Sequence, residues 1–178
     1  HQSDNTVVGA IIGAAVGGTA GALIGRQMDK QAEEIKNDLE GATVERVGEG
    51  ILITFDSGLL FKHDSFGLER ATKDNLSQLS KTLNKYDDTN ILIEGHTDST
   101  GEDAYNLSLS QKRAREVQGF LVSQRVSNGR INTHGYGEQQ PLGDNATDVG
   151  RQSNRRVEVA IYANKEMKRL AKKGELGV

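Results

Sequence analysis

Three polar side chains fall on what should be the buried side of a helix predicted for residues 104–124. Arg113, Asn106 and Ser110 lie inside its apolar stripe when successive residues are placed about 100° apart around the helix axis. The apolar members of the stripe are Leu107, Leu109, Ala114, Val117, Phe120 and Leu121. Because a guanidinium is costly to bury without a partner, Arg113 must meet an opposite charge or a hydrogen-bond acceptor.

Two interpretations of Arg113 are open. The side chain could form an internal salt bridge, or it could extend past the edge of the stripe into solvent. Alternatively, it could bind an anion, because the planar guanidinium matches a carboxylate in a bidentate pair. On this second interpretation Asn106, on the same side of the helix, supplies another polar contact.

A loop of small and hydrogen-bonding residues at 95–101 precedes this helix and follows a short strand predicted at 91–93. Loops held on a rigid scaffold often carry binding residues. Asp98 in this loop could simply close an Asx-turn. Together with Arg113, however, it would present an acid and a base at one end of the helix. Such a pair suits a zwitterion, with the ammonium on Asp98 and the carboxylate on Arg113.

The elements that must position these residues alternate between strands and helices. Strands are predicted at 51–55, with 43–47 as a hairpin partner, and at 91–93, 131–136 and 157–161. Helices are predicted at 68–86 and 104–124, followed by a short charged helix or frayed tail at 166–173. This order predicts an α+β sandwich with helices on one face of a small mixed sheet.

The N-terminal part of the chain has a different composition. Residues 7–25 carry no charge, and a glycine recurs every four residues, at Gly9, Gly13, Gly17, Gly21 and Gly25. In a helix these glycines would share one face and allow another helix to approach closely, as in membrane helix pairs. Such a helix would span roughly 28 Å, close to the hydrocarbon thickness of a bilayer.

We therefore expect residues 7–25 to become ordered only in a membrane or against copies of themselves, because glycine disfavours an isolated helix in water. A flexible linker is the alternative, although linkers lack such a period. Residues 26–40 are predicted to form a helical connector to the globular part.

The composition narrows the classes of function. The 178 residues carry a net charge of −3, which argues against nucleic-acid binding. Cysteine is absent, so disulfides and thiolate metal sites are excluded. His63, His96 and His134 show no metal-ligand spacing, and neither a nucleophile-elbow motif nor a dinucleotide-binding motif is present. We therefore expect neither an enzyme nor a bound cofactor or metal.

The loop and helix residues resemble the signature of the OmpA-like peptidoglycan-binding domain, a family that includes OmpA C-terminal regions, peptidoglycan-associated lipoprotein and MotB-type stator proteins. The resemblance covers residues 44–162, and its matching segments are 95–101, 106–110, 113–114, 135–138, 141, 145 and 154–158. It implies a β-α-β-α-β type fold with a mixed sheet. It also implies non-covalent binding of the diaminopimelate residue in the stem peptide of peptidoglycan.

The resemblance implies roles for single residues as well. Asp98 is expected to bind the diaminopimelate ammonium, and Arg113 is expected to bind its carboxylate. Three further residues are expected on the pocket wall: Asn106, Thr97 and Arg155. Residues 61–65 correspond to the first pocket loop of the family, where backbone amides meet the ligand and where Asp64 is a further ligand-binding candidate. His96 is expected to support the binding loop by hydrogen bonding.

These expectations divide the chain into a glycine-zipper segment with a helical connector at 1–40, an OmpA-like domain at 41–164 and a charged tail at 165–178. The glycine repeat ahead of this domain is similar to that of YiaD-like outer-membrane lipoproteins. The predicted function is to anchor the outer membrane, on its periplasmic face, to the cell wall by binding peptidoglycan. The N-terminal segment is expected to meet the membrane and to allow homo-oligomers.

Three alternatives to this function stay open at the level of sequence. They are a purely structural oligomer formed by the glycine repeat, a stator-type component, and a metal-dependent cell-wall hydrolase. The hydrolase is the least favoured of the three, because the histidines lack metal-ligand spacing.

Overall fold

The computed structural model describes residues 6–177 of the chain. Its strands are β1 Ala42–Val47, β2 Gly50–Asp56, β3 Thr89–His96, β4 Ile131–Gly135 and β5 Arg156–Ala163. Its helices are α1 Thr6–Ala14, α2 Gly18–Asp38, α3 Ser57–Leu60, α4 Arg70–Lys85, α5 Asp103–Ser123, α6 Asp148–Asn154 and α7 Lys165–Lys172. Each strand and long helix predicted for the globular part is present near its expected position, whereas the short helices α3 and α6 were not predicted.

The strands form one mixed sheet in the order β1-β2-β5-β3-β4. Strands β1, β2, β5 and β3 are joined by antiparallel pairing, and β3 and β4 pair in parallel. The last strand of the chain, β5, therefore lies at the centre of the sheet. The α+β class and the mixed sheet predicted from the sequence are confirmed.

The main hydrophobic core lies between one face of the sheet and helices α2, α4, α5 and α7. Alternate residues of each strand point into it, as the period of two along a strand requires. On the central strand these residues are Val157, Val159 and Ile161, all fully buried. Helix α4 adds Leu76 and Leu79 from its apolar face. Burial of this kind contributes roughly 1.5–3 kcal/mol for each large aliphatic side chain.

Helix α1, which belongs to the glycine-repeat segment, lies on the face of the sheet opposite to α2, α4, α5 and α7. Its residues Val7 and Ile11 are fully buried and pack on Leu52, Leu92 and Ala160. These three sheet residues are apolar, and without α1 they would face water. The second face therefore needs a cover, and the start of the glycine repeat provides it.

The glycine repeat does not form one continuous helix, because the chain turns sharply between α1 and α2. Gly17 and Gly18 have φ angles of 71° and 60°, a left-handed conformation that favours glycine. Glu49, in the turn between β1 and β2, accepts hydrogen bonds from the backbone N–H groups of Val16 and Gly17, at 3.0 Å and 2.9 Å. A carboxylate at this position also complements the positive N-terminal end of α2.

The expectation that residues 7–25 order only in a membrane or against copies of themselves therefore does not describe this structure, in which the segment from Val7 onward packs on its own sheet and core. Its second half is the start of α2, where Ile24 and Met28 are fully buried in the main core. The helices of residues 6–177 include none whose length and apolar character would let it cross a membrane. Residues 1–5 of the predicted N-terminal unit at 1–40, and Val178 of the predicted tail, lie outside the described part of the chain.

The C-terminal segment is also part of the packed structure, and the charged helix expected near residues 166–173 is α7. Helix α7 packs against α2 through Met167 and Ala171, which are buried. Asn164 caps the helix, because its side-chain oxygen accepts a hydrogen bond from the N–H of Met167 at 2.9 Å. Beyond α7, Leu176 is buried in the same core.

Candidate functional site

Helix α5 lies unusually close to the strands that it follows and precedes. Gly95 of β3 and Gly135 of β4 are register partners, and both lack the side chain that would block the helix. A Cβ atom at Gly95 would lie 2.2 Å from the carbonyl oxygen of Ser110, and one at Gly135 would lie 2.3 Å from the amide nitrogen of Gln111. This close approach brings the polar stripe residues of α5 to the edge of the sheet.

Strand pairing brings a second group of residues to the same edge. His96, the last residue of β3, is the register partner of Arg156, the first residue of β5. The loop that carries Asp98 therefore begins next to Arg155, which directly precedes β5. This explains how residues far apart in the sequence reach one site.

A cavity of about 690 Å³ opens at this edge of the sheet. The loop after β3, the loop after α3, the first half of α5 and the end of α6 form its walls. All six residues predicted from the sequence line it: Asp64, Thr97, Asp98, Asn106, Arg113 and Arg155. The structure thus brings the predicted residues together around one open space.

Asp98 is held as a carboxylate at the base of this cavity. It is 7% exposed; Oδ1 accepts a hydrogen bond from the N–H of Thr100 at 2.8 Å, and Oδ2 accepts one from Nη1 of Arg155 at 2.6 Å. Burial acts to raise the pKa of the Asp98 carboxyl, but these two donors outweigh it and hold the pKa below its ordinary value. Each carboxylate oxygen can accept a further hydrogen bond, so Asp98 retains capacity for a cationic ligand.

Arg113 faces the same cavity from α5 and does not form an ion pair with Asp98. Its Nε donates to the carbonyl oxygen of Ser65 at 2.9 Å, and its guanidinium lies 5.0 Å from the ring centroid of Phe61. Within residues 6–177, no hydrogen bond occupies its two terminal nitrogens. Burial lowers the pKa of Arg113, and the charges of Tyr105 and Asp64 act against this change. Arg113 is therefore an oriented cation with two donors directed at the cavity.

The structure gives Asn106, Ser110 and Thr97 a supporting role. The side-chain amide of Asn106 donates to the carbonyl oxygens of Asp98 and Thr100, at 3.3 Å and 3.0 Å. Ser110 accepts a hydrogen bond from the N–H of Gly137 at 2.8 Å, and Thr97 donates to the carbonyl of Asp98 at 2.9 Å. Asn106 and Ser110 are inside the apolar stripe of α5 because they fasten the neighbouring loops to the helix.

Two further residues that line the cavity were not singled out from the sequence, Tyr105 and Arg151. Arg151 donates to the carbonyl of Asn145 at 2.8 Å and pairs with Asp148. It belongs to α6, a helix of seven residues that carries no strong periodic signal. Tyr105 is 50% exposed and directly precedes Asn106, so an aromatic residue at the helix mouth was the available indication.

His96 does not support the binding loop by hydrogen bonding, which corrects the expectation based on the resemblance. Its side chain points to the second face of the sheet and stacks on Tyr136, with ring centroids 5.6 Å apart. The nearest carboxylate, that of Glu94, is 3.6 Å from Nε2. Burial, followed by the charge of Arg156, lowers the pKa of His96 to about 4, so the ring is neutral at physiological pH.

The rest of this buried polar group consists of Glu94, Glu158 and Arg156, each at most 3% exposed. Arg156 donates from Nε to Glu158 and from Nη2 to the carbonyl of Gln140 at 3.0 Å. Burial, together with the neighbouring charge of Glu158, raises the pKa of Glu94 to about 7. The group lies behind the strand ends that carry Asp98 and Arg155 and is separate from the cavity.

No cluster of histidine, cysteine, aspartate and glutamate that could hold a metal ion is present in residues 6–177. The chemistry of the cavity is therefore that of an ionised acid and an oriented arginine, which suits recognition of a ligand carrying both signs of charge.

Two family models match parts of this chain. Residues 60–155 match the model of the OmpA family, and residues 2–32 match the model of a glycine zipper. The first match contains the whole loop after β3, helix α5 and Arg155, and so includes each of the six predicted cavity residues.

Curated relatives share this part of the chain. Outer membrane porin F of Pseudomonas fluorescens is 42% identical over 122 residues, which are 68% of this chain and 35% of that protein. The probable lipoprotein YiaD of Escherichia coli is 36% identical over 121 residues, which are 68% of this chain and 55% of that protein. Peptidoglycan-binding protein ArfA of Mycobacterium tuberculosis is 36% identical over 103 residues, which are 58% of this chain and 32% of that protein. The chain thus spans about a third to a half of the length of these relatives.

A solved structure described as the cell wall anchor of the type VI secretion system (T6SS) from Pseudomonas aeruginosa has a similar fold. The TM-score is 0.66 at 28% identity, and the superposition covers 77% of this chain and 97% of that one. Because the OmpA family model matches more than half of the 178 residues, including every predicted cavity residue, this chain belongs to the OmpA family.

Proposed function

We propose that this chain binds peptidoglycan non-covalently through the diaminopimelate residue of the stem peptide, and so anchors the outer membrane, from its periplasmic face, to the cell wall. The observation that carries the proposal is the arrangement of Asp98 and Arg113, which face one cavity without pairing with each other. The free end of diaminopimelate carries an ammonium and a carboxylate on one carbon, so it can meet both residues at once.

The charges around the cavity favour such a ligand in a defined orientation. Asp98 is ionised and can accept hydrogen bonds from an ammonium, while the terminal nitrogens of Arg113 can donate to a carboxylate. Arg155 pairs with Asp98 and is 42% exposed in its side chain, so it can also donate to the ligand carboxylate. The mechanism requires no bond to form or break in the ligand.

A single site of this kind is expected to bind modestly, because polar contacts exchange with water and the ligand must be ordered. When many copies are attached to a membrane that faces a polymeric wall, one bound copy raises the effective concentration of the others, and the overall affinity increases. Weak binding by one copy is therefore compatible with firm attachment of the membrane. The relatives described by name as a peptidoglycan-binding protein and as a cell wall anchor support this function.

The test is a pull-down on purified, protein-free cell-wall sacculi of two chemistries, one with diaminopimelate and one with lysine in the stem peptide. Lysine lacks the side-chain carboxylate, so we expect retention on diaminopimelate sacculi and at least about tenfold less on lysine sacculi. Asp98→Ala and Arg113→Ala should each reduce retention on diaminopimelate sacculi to background. Arg113→Lys should also bind poorly, because a point charge cannot replace the bidentate fork.

The matched controls are Asp74→Ala and Arg115→Ala, which remove the same charges from exposed positions outside the cavity. Both should be retained like the unchanged chain, and thermal unfolding should show that all variants are folded. Arg113→Ala loses one hydrogen bond and one cation–π contact, so we expect a loss of stability of about 1–2 kcal/mol. Full retention of folded Asp98→Ala and Arg113→Ala would refute the proposed site.

A further inference from the structure

The C-terminal helix has a high net positive charge, unlike the rest of the molecule. Residues 165–173, which include α7, contain five lysines and arginines and one glutamate, a net charge of +4. Since the whole chain carries −3, the remaining residues carry −7. The protein is thus an acidic body with one strongly basic helix.

Helical spacing places these charges on one side of α7. Met167 and Ala171 are buried against α2, and Leu170 packs against the same core. On the opposite side stand the cations Lys165, Lys168, Arg169, Lys172 and Lys173, all exposed except Lys168, which is half-buried. Glu166 pairs with Arg169. The four lysines have no ion-pair partner among residues 6–177, so their charge is available to a partner.

Helix α7 begins at the end of the sheet opposite to the cavity. Strand β5 starts at Arg156, beside the cavity, and ends at Ala163, two residues before α7 begins. Eight residues of strand extend over roughly 26 Å. The start of α7 and the cavity that holds Asp98 and Arg113 therefore lie at opposite ends of β5.

An uncharged part of the chain, α1 and the turn that follows it, lies at the same end of the sheet as the start of α7. Ile11 lies beside the turn between β1 and β2, since a Cβ atom added at Gly48 or Gly50 would be 3.7 Å or 2.7 Å from its side chain. The end of β5 pairs with the start of β2 at the same place. The next residue, Ile12, is 61% exposed although it is apolar. The turn from α1 to α2 follows immediately, and no charged residue occurs between Thr6 and Gly25. A basic helix thus stands at one end of the domain with an exposed apolar residue and an uncharged turn.

We propose that the basic face of α7 docks on an anionic phospholipid surface, so that the domain stands on the membrane with its cavity directed away from it. Clustered lysines attract anionic headgroups. The exposed apolar side chain of Ile12, at the same end, can enter the interfacial region of the bilayer. A nucleic acid fits less well, because it offers no apolar region for the exposed Ile12 at the same end. Peptidoglycan is also a less suitable partner for α7, since the cavity proposed to bind it lies at the other end of the sheet.

The test uses the full chain and vesicles of phosphatidylethanolamine, with or without phosphatidylglycerol, in a co-sedimentation assay. We expect binding to the anionic vesicles only, and loss of binding when salt is raised from about 0.05 M to about 0.5 M. The variant K165Q/K168Q/K172Q/K173Q should bind at least about 100-fold more weakly, because each cation near an anionic surface strengthens binding roughly fivefold.

The control variant, K36Q/K73Q/K81Q/K112Q, makes the same change in net charge at exposed lysines on α2, α4 and α5. It should bind vesicles within about threefold of the unchanged chain. Equal vesicle binding by both variants, or no binding of the unchanged chain to anionic vesicles, would overturn the proposal. Sacculus pull-down of the same variants separates the two proposals: loss of wall retention in the α7 variant alone would show that this face serves the wall, which also overturns the membrane assignment.

Discussion

At the scale of single residues, the charge of Asp98 depends on a partner that is distant in the sequence. Arg155 follows it by 57 positions, and the two meet because β3 and β5 pair at His96 and Arg156. Arg113, by contrast, is left without an acidic partner, although it is only 7% exposed. Arg155 therefore helps to keep Asp98 ionised, while Arg113 is available for a ligand.

Wall binding should depend on pH through Asp98. The pKa of Asp98 in the folded chain lies below its ordinary value near 3.8, so the carboxylate stabilises the fold fully above that value and this contribution is lost as the pH falls through the lowered pKa. Retention on diaminopimelate sacculi should accordingly persist to about pH 4 and fall only below it.

Replacing Arg155 by Gln removes one of the donors that lower this pKa. We expect the loss of wall binding to move to higher pH in Arg155→Gln, while Arg125→Gln, which lies outside the cavity, should leave the profile in place. Pull-down between about pH 3 and pH 7 measures both, after folding has been checked at each pH. Identical profiles for the two variants would contradict the assignment of Arg155.

Several site residues were accessible from the sequence, and the reason is physical. Arg113 and Asn106 were identified because polar residues on an apolar helix face must have partners, and Asp98 because it follows a buried strand. The ion pair of Asp98 with Arg155 was not, since it depends on strand register. Arg151 was missed because the helix that carries it is too short for periodicity to register.

At the scale of elements, the glycine repeat shows how a local pattern can be overridden by tertiary contacts. A period of four predicts one helix, yet the chain turns at Gly17 and Gly18, where Glu49 from a distant hairpin accepts two backbone hydrogen bonds. The position of Glu49 follows from the pairing of β1 and β2 and not from the repeat. The strands and the helices α4, α5 and α7 were predicted because each carries its own apolar period.

Two glycine substitutions test whether α1 packs on the sheet. A Cβ atom at Gly50 would lie 2.6 Å from the carbonyl of Ile161 and 2.7 Å from Ile11, so Gly50→Ala should displace α1 and lower stability by about 1–3 kcal/mol. Nothing lies within 4 Å of a Cβ atom at Gly9, so Gly9→Ala should raise stability by about 0.5–1 kcal/mol. Urea unfolding measures both values, and equal stability of the two variants would argue against the packing of α1 on the sheet.

At the scale of the whole molecule, the two faces of the sheet depend on different parts of the chain. The main core is closed by α2, α4, α5 and α7, whereas α1 covers the apolar part of the second face. Removing residues 1–17 should therefore uncover Leu52, Leu92 and Ala160 and cost roughly 3–6 kcal/mol for the lost burial of Val7 and Ile11.

The shortened chain should unfold at a lower temperature and bind a hydrophobic dye in its folded state, as differential scanning calorimetry and dye fluorescence would measure. The change Ile12→Ser is the control, because Ile12 is 61% exposed and contributes little burial. A shortened chain with an unchanged Tm and no dye binding would show that α1 does not protect this face.

The central strand has a geometric consequence for the two proposed binding faces. Because β5 begins beside the cavity and ends beside α7, its length of roughly 26 Å would set the distance between a bilayer bound by α7 and a peptide bound in the cavity. A hydrogen-bonded strand at the middle of a sheet neither stretches nor folds, so the domain acts as a rigid spacer. Any adjustment to a wider gap must then come from chain outside the sheet.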